Sequence, residues 1–245
     1  MASYKNHDTD GDNGDTAELH DLGIDYRIFK KDSAANKLLS LFKNAKRSHY
    51  QSQDIIYHEG NESETAFIIT KGMVKLLSYL PNGRARIVRL HGPGNIVGMS
   101  GIVEPQYEHT AVAVNSVDVL KIPVSFIKEI KQEDPETFLD ISEKWHQYLR
   151  EADVWITQFS TGSIRSRVAR LITFLSYLEA DTNPEHVQLL TGEEMASILG
   201  VTPESVSRVV ADFKRQKVLQ PVDDDTHPDL YKRNIDLLTE YAEDL

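Results

Sequence analysis

The sequence predicts an α+β chain in three consecutive parts: an N-terminal antiparallel β-roll, one long helix and a C-terminal helix-turn-helix. Three observations carry this. Between about 36 and 130, short β-branched runs are cut by glycine-centred turns. From 134 to 160, large apolar residues repeat in heptads, and from 192 to 217 the apolar spacing is that of two short helices crossing steeply. The expected divisions are an acidic tail over 1–24, the roll over 25–132 and the long helix over 133–161. The reading module follows over 162–222, with a C-terminal extension over 223–245.

Each part rests on its residues. The first 24 are polar and Asp-rich, which predicts a disordered tail. Asp8, Asp10 and Asp12 mimic the start of a calcium loop. Asn13 stands where that loop needs glycine, however, and Leu19 where it needs glutamate, so the tail reads as solvated. A short helix is expected near 37–42. In the roll, DIIYHEG, ETAFIITKGMVKLLSYL, RARIVRLHGPGNIVG and TAVAVNSVDVLKIP are separated by turns at Gly60, Gly72, Gly83 and Gly92-Pro93-Gly94. A helix over about 124–131 closes it. Asp134-Pro135 then opens the long helix. Phe138, Ile141, Trp145, Tyr148, Ala152, Trp155 and Phe159 step alternately by three and four, which predicts a coiled-coil seam between two copies. Residues 163–177 form a second amphipathic helix.

In the stretch from Gly192 to Lys217, Met195, Ala196, Leu199, Val201, Val206 and Val209 form the apolar set of a helix pair. Gly200 falls at the turn, where φ is positive and a side chain would obstruct the packing. Thr202 is an N-cap, with Pro203 at the first helical position. The outward face then carries Glu204, Ser207 and Arg208, flanked by Thr202 itself, Ser205 and Lys214 as further DNA-contacting residues. Arginine suits guanine and glutamate suits the cytosine amino group, so this face predicts contact with double-stranded DNA.

Composition bounds the function. The 245 residues suffice for two modest domains, and 40% hydrophobic with 27% charged residues is ordinary for a globular chain. No apolar run is long enough to span a membrane and the N-terminus lacks a signal-peptide core, so a cytoplasmic protein is expected. There is no cysteine, which excludes thiol switches and thiolate-held iron–sulfur clusters. Net charge is −11, but residues 203–217 hold four cations against two carboxylates, a local net of +2.

β-roll, heptad helix and helix-turn-helix, in this order, resemble the Crp/Fnr family of bacterial transcription regulators over about residues 36–222. Glu204-Ser205-Val206-Ser207-Arg208 resembles the Glu-x-x-Ser-Arg reading helix of the Fnr branch. The resemblance implies a double-stranded β-helix of the cyclic-nucleotide-binding type, a homodimer, a winged helix-turn-helix, a small-molecule effector and contact with RNA polymerase. It also implies a TTGAT-N4-ATCAA palindrome, with Arg208 on guanine, Glu204 on cytosine and Ser207 on thymine. Asp223, Asp224 and Asp225 depart from it: carboxylates where a wing should approach phosphates imply a displaced or shortened wing.

The same resemblance places an effector pocket between roll and long helix, lined by Arg86, Gly98, Met99, His109, Thr110, Tyr148 and Ala152. Its cyclic-AMP-binding members hold ribose with Gly-Glu and phosphate with Arg-Ser or Arg-Thr. Here those places hold Gly98-Met99 and His109-Thr110, and the base-contacting hydroxyls are replaced by Ala152 and Asp153. These losses argue against cyclic AMP. Haem stays open as an alternative, with His91, His109 and Met99 as lining residues. Arg84 and Arg86, sharing a strand face with Arg89 near, suggest an anionic metabolite or a solvated face. A metal-dependent β-roll enzyme is a competing class, but it needs a His-x-His pair that the sequence lacks.

Overall fold

The computed structural model describes residues 45–178, 185–223 and 228–243, with the backbone alone at 137, 140, 141, 144, 145 and 147. The acidic tail, the calcium-like loop and the helix near 37–42 lie outside the described residues.

Eight strands build the roll: β1 (Lys46–Tyr50), β2 (Ile55–Tyr57), β3 (Thr65–Lys71), β4 (Val74–Tyr79), β5 (Ala85–His91), β6 (Ile96–Val97), β7 (Thr110–Ala113) and β8 (Val117–Pro123). They form two antiparallel sheets, ordered β1-β8-β3-β6 and β2-β7-β4-β5. The period-2 alternation of β3 and β8 sorts their side chains between two cores. Phe67, Ile69, Val117 and Val119 enter the roll interior with Val74, Leu76, Val97, Ala111 and Ala113. Ala66, Ile68 and Ile122 face outward, onto a helical layer that supplies Ile127, Ile130 and Tyr148. That layer is α1 (Val124–Glu133), packed against α2 (Pro135–Ser160). Tyr148 pins α2 to the roll: its hydroxyl donates to the Ile96 carbonyl at 2.9 Å and accepts from the Ile96 amide at 3.2 Å.

This packing uses part of the heptad face of α2 within the single chain. Tyr148 is 8% exposed and Phe159 3%, both within the single chain. Phe138 packs on the roll-side core, while Trp155 and Phe159 form edge-on contacts with Phe174 at 5.8 and 5.7 Å. Ala152 is half-buried. The side chains of Ile141 and Trp145 lie outside those described. Tyr148 and Phe159 therefore cover the chain's own domains, because one helix bridging two cores uses the same 3–4 spacing as one facing a partner. One residue further round, Leu139, Leu149 and Ile156 are 61%, 66% and 61% exposed. They fall on a second heptad line with Ser142, His146 and Asp153.

The C-terminal module comprises α3 (Ile164–Leu178), β9 (His186–Gln188), α4 (Gly192–Leu199), α5 (Pro203–Arg215), β10 (Leu219–Pro221), β11 (Leu230–Arg233) and α6 (Ile235–Glu243). α3 is its central helix, with Val168, Ala169, Leu171, Ile172 and Leu175 fully buried. β10, β11 and β9 pair as a three-stranded antiparallel sheet in that order, and α6 packs on α3. A boundary at 222 would cut this hairpin. The expected extension is instead part of the module, since Leu238 and Ala242 of α6 are buried in the same core. β10 and β11 stand where the wing is expected; Asp223 is exposed, and 224–227 lie outside the described residues. Met73, Ile87 and Leu90 of the roll join this core, so roll and module share one apolar cluster.

Candidate nucleic-acid interface

The helix pair buries the residues its spacing selected. Met195, Ala196, Leu199 and Val206 are at most 3% exposed, and Val201 and Val209 pack against them half-buried. Gly200 has φ +64°, closing α4 in the left-handed conformation that a side chain would strain. A capping box fixes the start of α4. Thr191 Oγ1 accepts from the Glu194 amide at 3.2 Å, and the Glu194 carboxylate accepts from the Thr191 amide at 3.0 Å. At α5, Thr202 Oγ1 accepts from the Ser205 amide at 3.3 Å, and the two hydroxyls lie 3.0 Å apart.

These caps divide the expected DNA-contacting set. Glu204, Ser207 and Arg208 are exposed along one face of α5 and bond to no other described side chain. The Ser207 hydroxyl comes within 3.6 Å of the position a Gly192 Cβ would take, at the mouth of the helix pair. Thr202 and Ser205 are occupied in the cap and serve to set the helix start. Lys214 donates to Tyr231 Oη at 2.7 Å and lies 4.5 Å from that ring's centre, tying the end of α5 to the wing. Behind the face, Arg165 of α3 pairs with Asp212 and donates to Gln216 at 2.6 Å, fixing α5 against its scaffold.

A clamp that the sequence did not reveal joins this module to the roll. Lys75 Nζ, on β4, donates to Glu194 Oε1 at 2.6 Å and to Gln53 Oε1 at 2.8 Å, with the Lys75 and Glu194 side chains only 8% and 12% exposed. Burial raises the Glu194 carboxyl, but the bond and charge of Lys75, with the Thr191 bonds, outweigh it and hold the group below the ordinary glutamate value. Beside it, the Ile87 amide of β5 donates to Ser197 Oγ at 3.0 Å. The Thr191-x-x-Glu194 box is a sequence signal. Its partner Lys75, 119 residues away, is not.

Among the expected effector residues, Met99 and Tyr148 share one apolar cluster, while the others have surroundings of their own. Gly98 has φ +79°, and a Cβ there would stand 2.8 Å from the Thr65 carbonyl oxygen and 3.1 Å from Tyr107 Cε1. Tyr57 stacks on Tyr107 at 3.9 Å and bonds the Gly98 backbone; burial pushes both hydroxyls to raised pKa. Met99 is 4% exposed in the core under α1 and α2. Thr110, 1% exposed, accepts from the Glu59 amide at 3.0 Å. Burial lowers the pKa of half-buried His109, with Glu108 opposing, Arg89 adding to the drop and Glu59 opposing it. His91 packs edge-on to Tyr148 at 5.5 Å, on the α2 side with Met99, whereas His109 sits among Glu108, Arg89 and Glu59. Arg86 is exposed and its guanidinium stands beside Gly200 of the helix-turn-helix.

A β-roll, a bridging helix and a helix-turn-helix with an open polar reading face define a class: a DNA-binding regulator carrying a sensor-type domain. Family comparison agrees part by part. The cyclic nucleotide-binding domain matches residues 47–134 and the Crp-like helix-turn-helix domain residues 167–239. The transcriptional regulator LdrP of Thermus thermophilus is 26% identical over 172 residues, covering 69% of this chain and 85% of its own. The cAMP-activated global transcriptional regulator Vfr of Pseudomonas aeruginosa is 27% identical over 183 residues, covering 72% and 86%. Solved structures share the fold. A CRP-family transcriptional regulator from Thermus thermophilus has TM-score 0.67 at 23% identity, covering 80% of this chain and 96% of its own. FixK2 from Bradyrhizobium japonicum has TM-score 0.67 at 22% identity, with the same coverage. The chain belongs to the Crp family of transcriptional regulators. Those relatives are not enzymes, which sets aside the metal-dependent alternative. No helix among the described residues is long and apolar enough to cross a membrane.

Proposed function

We propose that this chain is a homodimeric, sequence-specific transcription regulator reading a TTGAT-N4-ATCAA-like palindrome. The observation that carries this is the exposed triad Glu204, Ser207 and Arg208 on a capped α5 whose opposite face is buried. Arg208 donates to guanine, Glu204 accepts from cytosine and Ser207 contacts thymine. Two such helices across a dyad enter successive major grooves about 34 Å apart. The dyad runs along the exposed Leu139, Leu149 and Ile156 line of α2, which a second copy covers. On promoter DNA, RNA polymerase is the partner, and a cytoplasmic location follows from that work.

The effector is not cyclic AMP bound as in the cAMP-activated relatives. Met99 and His109 lack the ribose and phosphate chemistry, and Tyr57 stacked on Tyr107 crowds the Gly98 loop. Fluorescence anisotropy with the palindrome and with a scrambled duplex tests the reading, each with and without cyclic AMP. Preference for the palindrome, unchanged by the nucleotide, is expected. Equal binding to both duplexes removes the sequence-specific claim, and a cyclic-AMP requirement removes the effector claim.

A further inference from the structure

The arginines of the β4–β5 hairpin have no part in that reading. From Tyr79 to Leu90 the chain carries Arg84, Arg86 and Arg89 and no acid, in a protein of net charge −11. The register between β4 and β5 shifts at Leu76/Leu77, where Leu76 faces Arg89 and Leu77 faces Ile87. Val88 is thus an extra residue, and the bulge breaks the alternation. Arg89 is left half-buried beside His109, whereas Arg84 and Arg86 are exposed and bond to no other described side chain.

Arg86 reaches across to the reading module. Its Nη2 stands 3.5 Å from the position of a Cβ on Gly200, in the turn two residues before the α5 cap at Thr202. This is the end of the helix that meets base edges in helix-turn-helix docking. The hairpin is fixed there. Ile87, next to Arg86, donates its amide to Ser197, and the shielded Lys75–Glu194 pair anchors the same sheet to α4. An open, acid-free pair of guanidiniums suits a polyanion passing over the surface, since a small ligand would need enclosing partners.

We propose that the β4–β5 hairpin is a second DNA-contacting element, with Arg84 and Arg86 engaging phosphates that flank the half-site read by α5. The inference rests on the DNA-binding reading above. It gives the acidic chain cations beside a module whose wing end carries Asp223, and it makes the roll itself part of the DNA interface. Such contacts position without reading sequence.

The test compares the full-length chain with R84A/R86A and R84K/R86K, on the palindrome and on a scrambled duplex, across a salt series. For the alanine pair, the slope of log affinity against log salt should fall by about 0.9 for each phosphate no longer neutralised, or about 3.6 for the four arginines of a dimer. Affinity should drop on both duplexes by a similar factor, leaving their ratio intact. The lysine pair should regain most of the slope, and both variants should melt as the wild type does. Wild-type slope and affinity in the alanine pair would overturn the hairpin's role while leaving the α5 reading in place. A wild-type chain that binds neither duplex would overturn both.

Discussion

Truncating Leu149 and Ile156 together to alanine separates a dimer built on the exposed line of α2 from one built on its aromatic line. Each substitution removes three carbons, worth about 2.4 kcal/mol at ~0.8 kcal/mol per buried CH₂. Leu149 is 66% exposed and Ile156 61% in the single chain, so roughly two-thirds of that is left for a partner to bury, about 1.5 kcal/mol per side chain. A twofold interface counts each position twice. The double variant therefore loses about 6 kcal/mol of association, roughly 10⁴-fold in dissociation constant at about 1.4 kcal/mol per tenfold. Sedimentation equilibrium over a dilution series reads this directly. Phe159→Ala is the control: packed between Trp155 and Phe174, it costs about 3–5 kcal/mol of folding stability and leaves the dimer constant in place. A double variant that dimerises like the wild type, or a folded Phe159→Ala chain that falls to monomers, would refute the assignment.

Other outcomes follow from individual side chains. Gly200→Ala forces a side chain into φ +64° and should cost on the order of 1–2 kcal/mol, read as a lower melting temperature. Thr191→Ala removes one half of the α4 capping box and should cost about 1 kcal/mol in denaturant unfolding. The depressed Glu194 carboxyl contributes stability that is complete above its unfolded value of about 4.3 and is lost as pH falls through its lower folded value. Acid below about pH 4 should thus release α4 from β4, seen as faster amide exchange in both, and Glu194→Gln should exchange fast already at neutral pH.

Local spacing made the helix-turn-helix legible, because Met195 to Val209 and the turn at Gly200 interact within one helix pair. The roll was legible for a similar reason: β-branched runs between glycine turns specify strands, but the unbroken apolar run from Ala66 to Ile69 does not say which side chains face which core. The long helix was legible as a helix but not in its facing. Heptads at Tyr148 and Phe159 record that a surface is covered, not by which chain, and here the roll and α3 cover it. Distance in sequence hid the rest. Lys75 meets Glu194 across 119 residues, and Tyr57 meets Tyr107 across the four strands β3 to β6. The acidic run after Pro221 disguised β11 as an extension, because a strand of four residues beyond several carboxylates reads locally as loop.

Base-specific binding by Arg208 tests the central claim most directly. Wild-type protein and Arg208→Ala are titrated against the palindrome and against the same duplex with the half-site guanine replaced by adenine. If Arg208 reads that guanine, the wild type discriminates by about 1–3 kcal/mol per half-site and the variant binds both duplexes alike. Wild-type protein that binds the two duplexes equally, or a variant that keeps the full preference, would contradict the account.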